Sequence, residues 1–133
     1  MTLSGKTALV TGGSSGIGLA AARMLKDHGA RIAITGRSAE KLAAAKALLG
    51  DDVLTVIADA ASVDALRQMG EAVGKAFTGL DIVFANAGVA IGTPLATADE
   101  AAYATVMDTN VKGVFFTVQA VLPGDHAGIG GAA

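Results

Sequence analysis

Four short runs rich in β-branched and apolar residues, Lys6–Thr11, Arg31–Thr35, Val53–Ala58 and Leu80–Ala85, are separated by alanine-rich stretches of helical period. This alternation folds into a parallel sheet with helices on its faces, because parallel neighbours need a crossover of a dozen or more residues. Ala8-Leu9-Val10 is continuously apolar, as a strand covered on both faces must be. The predicted class is α/β, a doubly wound parallel sheet. With 133 residues, 52% hydrophobic and 17% charged, the chain can bury one core and is not disordered.

The helical stretches carry their own boundaries. The first spans about Gly16 to His28, with Ile17, Ala21, Met24 and Leu25 expected on the inward face and Gly29 as its stop. The second runs from a capping Ser38 to Leu49, with Leu42, Ala45 and Leu49 inward. Ser62 caps the third, whose Val63, Leu66, Gly70, Val73 and Phe77 recur at helical spacing. A longer helix starts near Thr97. Its predicted stripe is Tyr103, Val106, Met107, Asn110, Val111, Val114, Phe115, Val118, Val121 and Leu122, ending at Pro123. Residues 1–123 form the expected domain, and Gly124–Ala133 reads as a flexible Gly/Ala-rich tail.

Chemistry concentrates between the first strand and the first helix, at Thr11-Gly12-Gly13-Ser14-Ser15-Gly16-Ile17-Gly18. A dinucleotide's pyrophosphate requires close backbone approach, free amide donors and the positive end of a helix dipole. Gly12 permits the tight turn, and Gly16 and Gly18 remove side chains where phosphate or the adjoining strand approaches. Ser14 and Ser15 add hydroxyl donors. The alternative is a glycine-rich turn that binds nothing; the strand–loop–helix setting favours binding. Arg37 lies just beyond the second strand, where a dinucleotide fold meets the adenosine ribose. An acid there accepts the ribose hydroxyls, whereas arginine pairs with a 2′-phosphate. Arg37, helped by Ser38, therefore favours NADP over NAD, with NAD still possible; a solvated loop arginine is the bland alternative.

The loop spacing is TGxxxGxG, and with it the chain resembles the short-chain dehydrogenase/reductase family. Ile34-Thr35-Gly36-Arg37, Asp59, Asn86-Ala87-Gly88 and Asn110 follow in the family's order, so the resemblance runs from residue 5 to about 123. It implies a Rossmann-type sheet of order 3-2-1-4, covering roughly half of such a protein and truncated before the fifth strand. It further implies that Asp59, otherwise only a loop carboxylate, binds the adenine amino group and that Ala60 packs beside it, where the family more often has a branched aliphatic. Asn86, Ala87 and Gly88 would line the nucleotide site, and their residue types also suit a turn. Asn110 would join a proton relay, the one member of the catalytic set in this chain. Otherwise it is a satisfied core amide.

Carbonyl reduction by a nicotinamide also needs an acid for the developing alkoxide. The family supplies it as Tyr-x-x-x-Lys with an orienting serine. The sole tyrosine, Tyr103, is followed four residues later by Met107; the next lysine is Lys112, and no serine follows Ser62. Tyr103 lies about 10 Å along the helix from Asn110 and reads as core packing. The expectation is a cofactor-binding portion that accepts a small carbonyl or alcohol substrate only when the missing half is supplied. The competing class is a non-catalytic nucleotide-binding or oligomerising module.

Composition closes other routes. A net charge of −2 and pI near 5.5 give no nucleic-acid footprint. No apolar run approaches the roughly 18 residues of a membrane span. Zero cysteines remove disulfides and thiolate chemistry and agree with a cytoplasmic setting. His28 and His126 have no metal-ligand spacing, and His28 suits a helix end. The loop lacks the Gly-Lys-Ser/Thr ending of a P-loop. A homo-oligomer is expected, through the long helix or through the exposed edge of the fourth strand.

Overall fold

A computed structural model describes residues 2–86 and 99–121. Four strands, β1 (Thr7–Thr11), β2 (Arg31–Gly36), β3 (Leu54–Ile57) and β4 (Ile82–Ala85), form one parallel sheet of order β3-β2-β1-β4. The registers Leu9↔Ala33, Leu9↔Val83 and Ile34↔Thr55 fix the central strands. This is the expected doubly wound α/β sheet. β3 and β4 are shorter than the apolar runs that announce them; Val53 and Leu80 are buried outside the ladder.

Strand alternation sorts the core into two halves. Ala8, Val10, Ile32 and Ile34 face one side, where α1 (Gly16–Asp27) and α2 (Ala39–Leu49) bring Ala22, Leu25, Leu42, Ala45 and Leu49. Leu9 and Ala33 face the other, against Leu66, Met69 and Val73 of α3 (Val63–Ala76). A last helical stretch follows there in three parts: α4 (Glu100–Met107), a π-helical segment (Asp108–Lys112) and α5 (Gly113–Val121).

The helix boundaries follow their signals. Ser38 and Ser62 each accept a hydrogen bond from the amide three residues on, Lys41 and Ala65, at 3.2 Å. His28 closes α1 with its Nδ1 2.8 Å from the Met24 carbonyl, and Gly29 turns the chain at φ +103°. The inward residues of α2 are those expected.

Two helix faces differ from expectation. On α1 the buried residues are Gly18, Ala22 and Leu25, whereas Ile17 and Met24 are exposed. Gly18 and Ala22 fill the seam together with Leu25, and the larger Ile17 and Met24 face outward. On α5 the buried residues are Gly113, Thr117 and Val121, with Phe116 and Ala120 half-buried; Val111, Phe115 and Val118 are exposed. One extra residue in a π turn rotates the helical phase by about 100°. A stripe read with one helical period across Asp108–Lys112 cannot keep its register through that segment. Close approach completes the effect: a Cβ on Gly70 would collide with the Ala120 carbonyl, and one on Gly113 would stand 2.5 Å from the Ala60 carbonyl.

Pro123 and the tail at 124–133 lie outside the described residues. Among those described, no helix is long and apolar enough to cross a membrane.

Candidate functional site

β1 has β2 on one side and β4 on the other, so the strand order reverses there. In open α/β sheets, the crevice outside the carboxyl ends of the strands at such a point is the ligand site. A cleft of about 370 Å³ opens there, walled by the β1–α1 loop, the β2–α2 turn, the β3–α3 turn and the end of β4.

The β1–α1 loop is shaped by its glycines. Gly12 (φ +65°) and Gly16 (φ +58°) occupy the left-handed region that a side chain disfavours. A Cβ on Gly18 would run into the Gly12 carbonyl and stand 2.8 Å from Asn86 Nδ2; Gly18 thus backs the loop rather than lining the cleft. The Gly13 amide donates to the Thr35 carbonyl at 3.1 Å, fastening the loop to β2. Ser15 is the N-cap residue of α1, but its hydroxyl makes no capping bond, unlike those of Ser38 and Ser62. The opening amides of α1, which have no intrahelical acceptor, and the hydroxyls of Ser14 and Ser15 therefore give the wall a set of donors.

The opposite wall carries charge. Gly36 passes 3.2 Å from Ser14 Oγ, measured from the Cβ it lacks, and its carbonyl accepts from the Ala58 amide at 2.9 Å. Arg37 follows, exposed, and Lys41 lines the same wall one helical turn later. Neither has an acidic partner within ion-pair distance among the described residues. Asp59 accepts from the Ala61 amide through Oδ1 at 2.9 Å, an Asx turn that leaves Oδ2 for another donor. Ala60 is buried beneath it, backed by Gly113. The Asn86 amide donates to Thr11 Oγ1 at 3.0 Å, tying the end of β4 to β1.

Gly12, Ser14, Ser15, Gly16, Ile17, Arg37, Ser38, Asp59, Ala60 and Asn86 thus meet in one cleft, as the sequence predicts. Ala87 and Gly88 lie outside the described residues. Asn110 sits half-buried in the π-helical segment and does not line the cleft, and Tyr103 belongs to α4. Sequence reasoning did not name Thr35, Gly36, Lys41 or Ala58 as lining residues, although Thr35 and Gly36 belong to its Ile34–Arg37 motif. The signal for Lys41 was a lysine in the first turn of a helix, where positive charge opposes the dipole. Ala58 carried none.

The geometry fits an elongated, anionic nucleotide. Backbone donors and positive φ angles suit a pyrophosphate at the α1 end; two unpaired cations and a carboxylate suit a phosphorylated ribose and an amino-bearing base at the other. Among the described residues no cluster of His, Cys, Asp and Glu could hold a metal ion.

Known proteins resemble this chain in sequence and in fold. Residues 6–132 match the short chain dehydrogenase family model. The oxidoreductase asL5 of Sarocladium schorii is 44% identical over 121 residues, covering 91% of this chain and 49% of that protein. The NADP-dependent 3-hydroxy acid dehydrogenase YdfG of Salmonella typhi is 37% identical over 117 residues, covering 87% and 47%. The Pseudomonas aeruginosa RhlG/NADP active-site complex superposes with a TM-score of 0.87 at 38% identity, covering 92% of this chain and 48% of that one. The chain spans about half the length of these relatives.

Proposed function

The chain belongs to the short-chain dehydrogenase family, and from that premise we propose that its cleft binds NADP(H), in preference to NAD(H), as the cofactor-holding part of an alcohol/ketone oxidoreductase. The observation that carries the reading is the unpaired Arg37 at the end of β2, on the same cleft as the glycine loop of β1–α1. The NADP named in the YdfG and RhlG relatives adds support.

The proposed division of labour follows the walls. The α1 amides with Gly12, Ser14, Ser15, Gly16 and Ile17 hold the pyrophosphate, and Gly18 keeps the loop against Asn86. Arg37 pairs with the 2′-phosphate, while the Ser38 hydroxyl, already accepting from Lys41, still has a proton to donate. Asp59 accepts from the adenine amino group over Ala60, and Asn86, Ala87 and Gly88 continue the site toward the nicotinamide. The bound cofactor supplies or takes the hydride. Asn110 is assigned to the proton relay by resemblance. The acid for a developing alkoxide has no candidate here: Tyr103 lacks its lysine four residues on. We therefore assign this chain cofactor binding, with a small carbonyl or alcohol turned over only when a serine and Tyr-x-x-x-Lys come from elsewhere. A cytoplasmic setting fits the cysteine-free sequence.

A second reading, a nucleotide-binding module that acts by associating, draws on a separate observation. Val111, Phe115 and Val118 are exposed on the outer side of the last helix, and Val83 and Phe84 on the edge strand β4.

Fluorescence titration with NADPH and NADH tests the cofactor assignment. NADPH is expected to bind more tightly, and Arg37→Asp to remove that preference, a change of roughly 2–3 kcal/mol or 30–100-fold. An unchanged ratio in the variant removes the phosphate role; turnover of a carbonyl panel by this chain alone refutes the division of labour.

A further inference from the structure

We infer that Lys41 is a second specificity-determining residue, which joins Arg37 in holding the 2′-phosphate. The inference rests on the cofactor reading above and deepens it.

Ser38 is the N-cap residue of α2, so Lys41 is the third residue of the helix proper, and its amide donates to Ser38 Oγ. Helical side chains lean toward the N-terminus of their helix, which brings Lys41 back to the end where Arg37 emerges. Arg37, Ser38 and Lys41 all line the same cleft. The residue type is the informative part. Three residues after a serine cap, Glu or Gln would reach back to the cap amide and complete a reciprocal pair. Lysine forgoes that bond and sets a positive charge against the helix dipole. No carboxylate offsets it within ion-pair distance among the described residues. Its neighbour Glu40 does not line the cleft and forms no ion pair with it among the described residues. The helix therefore holds a residue that is unfavourable for it alone and useful once a doubly charged anion arrives. Arg37 offers a planar fork and Lys41 a compact point charge, which together match the two charges of a phosphomonoester.

This predicts a trade that a purely structural lysine would not make. Lys41→Glu completes the cap and removes the cation; Lys41→Ala removes the cation alone; Lys41→Arg keeps it. Calorimetric titration with NADP+ and NAD+ and thermal melts are read together. Lys41→Glu and Lys41→Ala are expected to weaken NADP+ about tenfold while leaving NAD+ within about twofold. Lys41→Glu melts no lower than the parent, and Lys41→Arg retains the preference. If Arg37→Asp shifts the NADP+/NAD+ ratio but neither Lys41→Glu nor Lys41→Ala does, the role of Lys41 is overturned and the cofactor reading stands. If the parent chain binds NADP+ no better than NAD+, both are overturned.

Discussion

The two flanks of the sheet are finished differently. On the β2–β3 flank, every turn at the carboxyl end is tied down by short hydrogen bonds: Gly13 to Thr35, Ala58 to Gly36, Ala61 to Asp59. The cations and hydroxyls that this flank leaves unpaired face one cleft, and outside the cleft it exposes Leu48 and Ile57. The β4–α5 flank contributes only the end of β4 to that cleft, and its outer helix exposes Phe115 (63%) and Val111 (55%). A flank with spare donors and cations is built to take a small anionic ligand. Clustered exposed apolar side chains suit cover by protein. The same chain therefore carries two recognition problems, and they can be perturbed separately.

The sharpest test of that separation is Gly18→Val, because its Cβ has no room against the Gly12 carbonyl and Asn86. Nucleotide binding should fall by more than about 100-fold, with a loss of roughly 2–3 kcal/mol in folding stability. Denaturant melts and NADPH titration read the two separately. Gly113→Ala probes the other flank, where the added methyl meets the Ala60 carbonyl at 2.5 Å. A loss of about 1–3 kcal/mol is expected with the NADPH/NADH ratio unchanged; a shifted ratio would mean that the flanks are coupled through Ala60.

The proposed association is assigned to the β4–α5 flank. Sedimentation at micromolar concentration should show a homo-oligomer, converted toward monomer by Phe115→Asp with Val118→Asp while NADPH affinity holds. A stable monomer in the parent chain contradicts this. The smallest effect is at the surface pair Lys26–Asp52, 3.2 Å apart. Its hydrogen bond from Lys26 holds the Asp52 carboxyl below the ordinary aspartate range. The pair's contribution is thus complete above about pH 4 and is lost as pH falls through the lower native value. Asp52→Asn should flatten that acid limb slightly and leave the melting temperature at pH 7 nearly unchanged.

Legibility in the sequence followed the same division. The strands, the glycine loop and the serine caps depend on local pattern; the strand order and the places of Asp59, Ala60 and Asn86 came with the family resemblance, and those three residues line one cleft. The outer helix departed from its pattern. Its stripe was read with one period through Asn110, and the π-helical segment there turned Val111, Phe115 and Val118 outward. Met24 failed for a related reason: pattern reading prefers large apolar residues, whereas a helix laid close on strands chooses Gly18 and Ala22. Lys41 was overlooked because a lone lysine on a helix usually reads as solvated surface. Its significance depends on Arg37 and the cleft, which only the folded chain brings together.

The central claim is that one end of this cleft is made for a 2′-phosphorylated adenosine. Calorimetry with adenosine 2′,5′-bisphosphate and adenosine 5′-monophosphate isolates that end from every residue beyond Asn86. The bisphosphate is expected to bind about tenfold more tightly or better, with the advantage declining as salt is raised. Equal affinities, or an advantage that survives Arg37→Asp, would contradict the account.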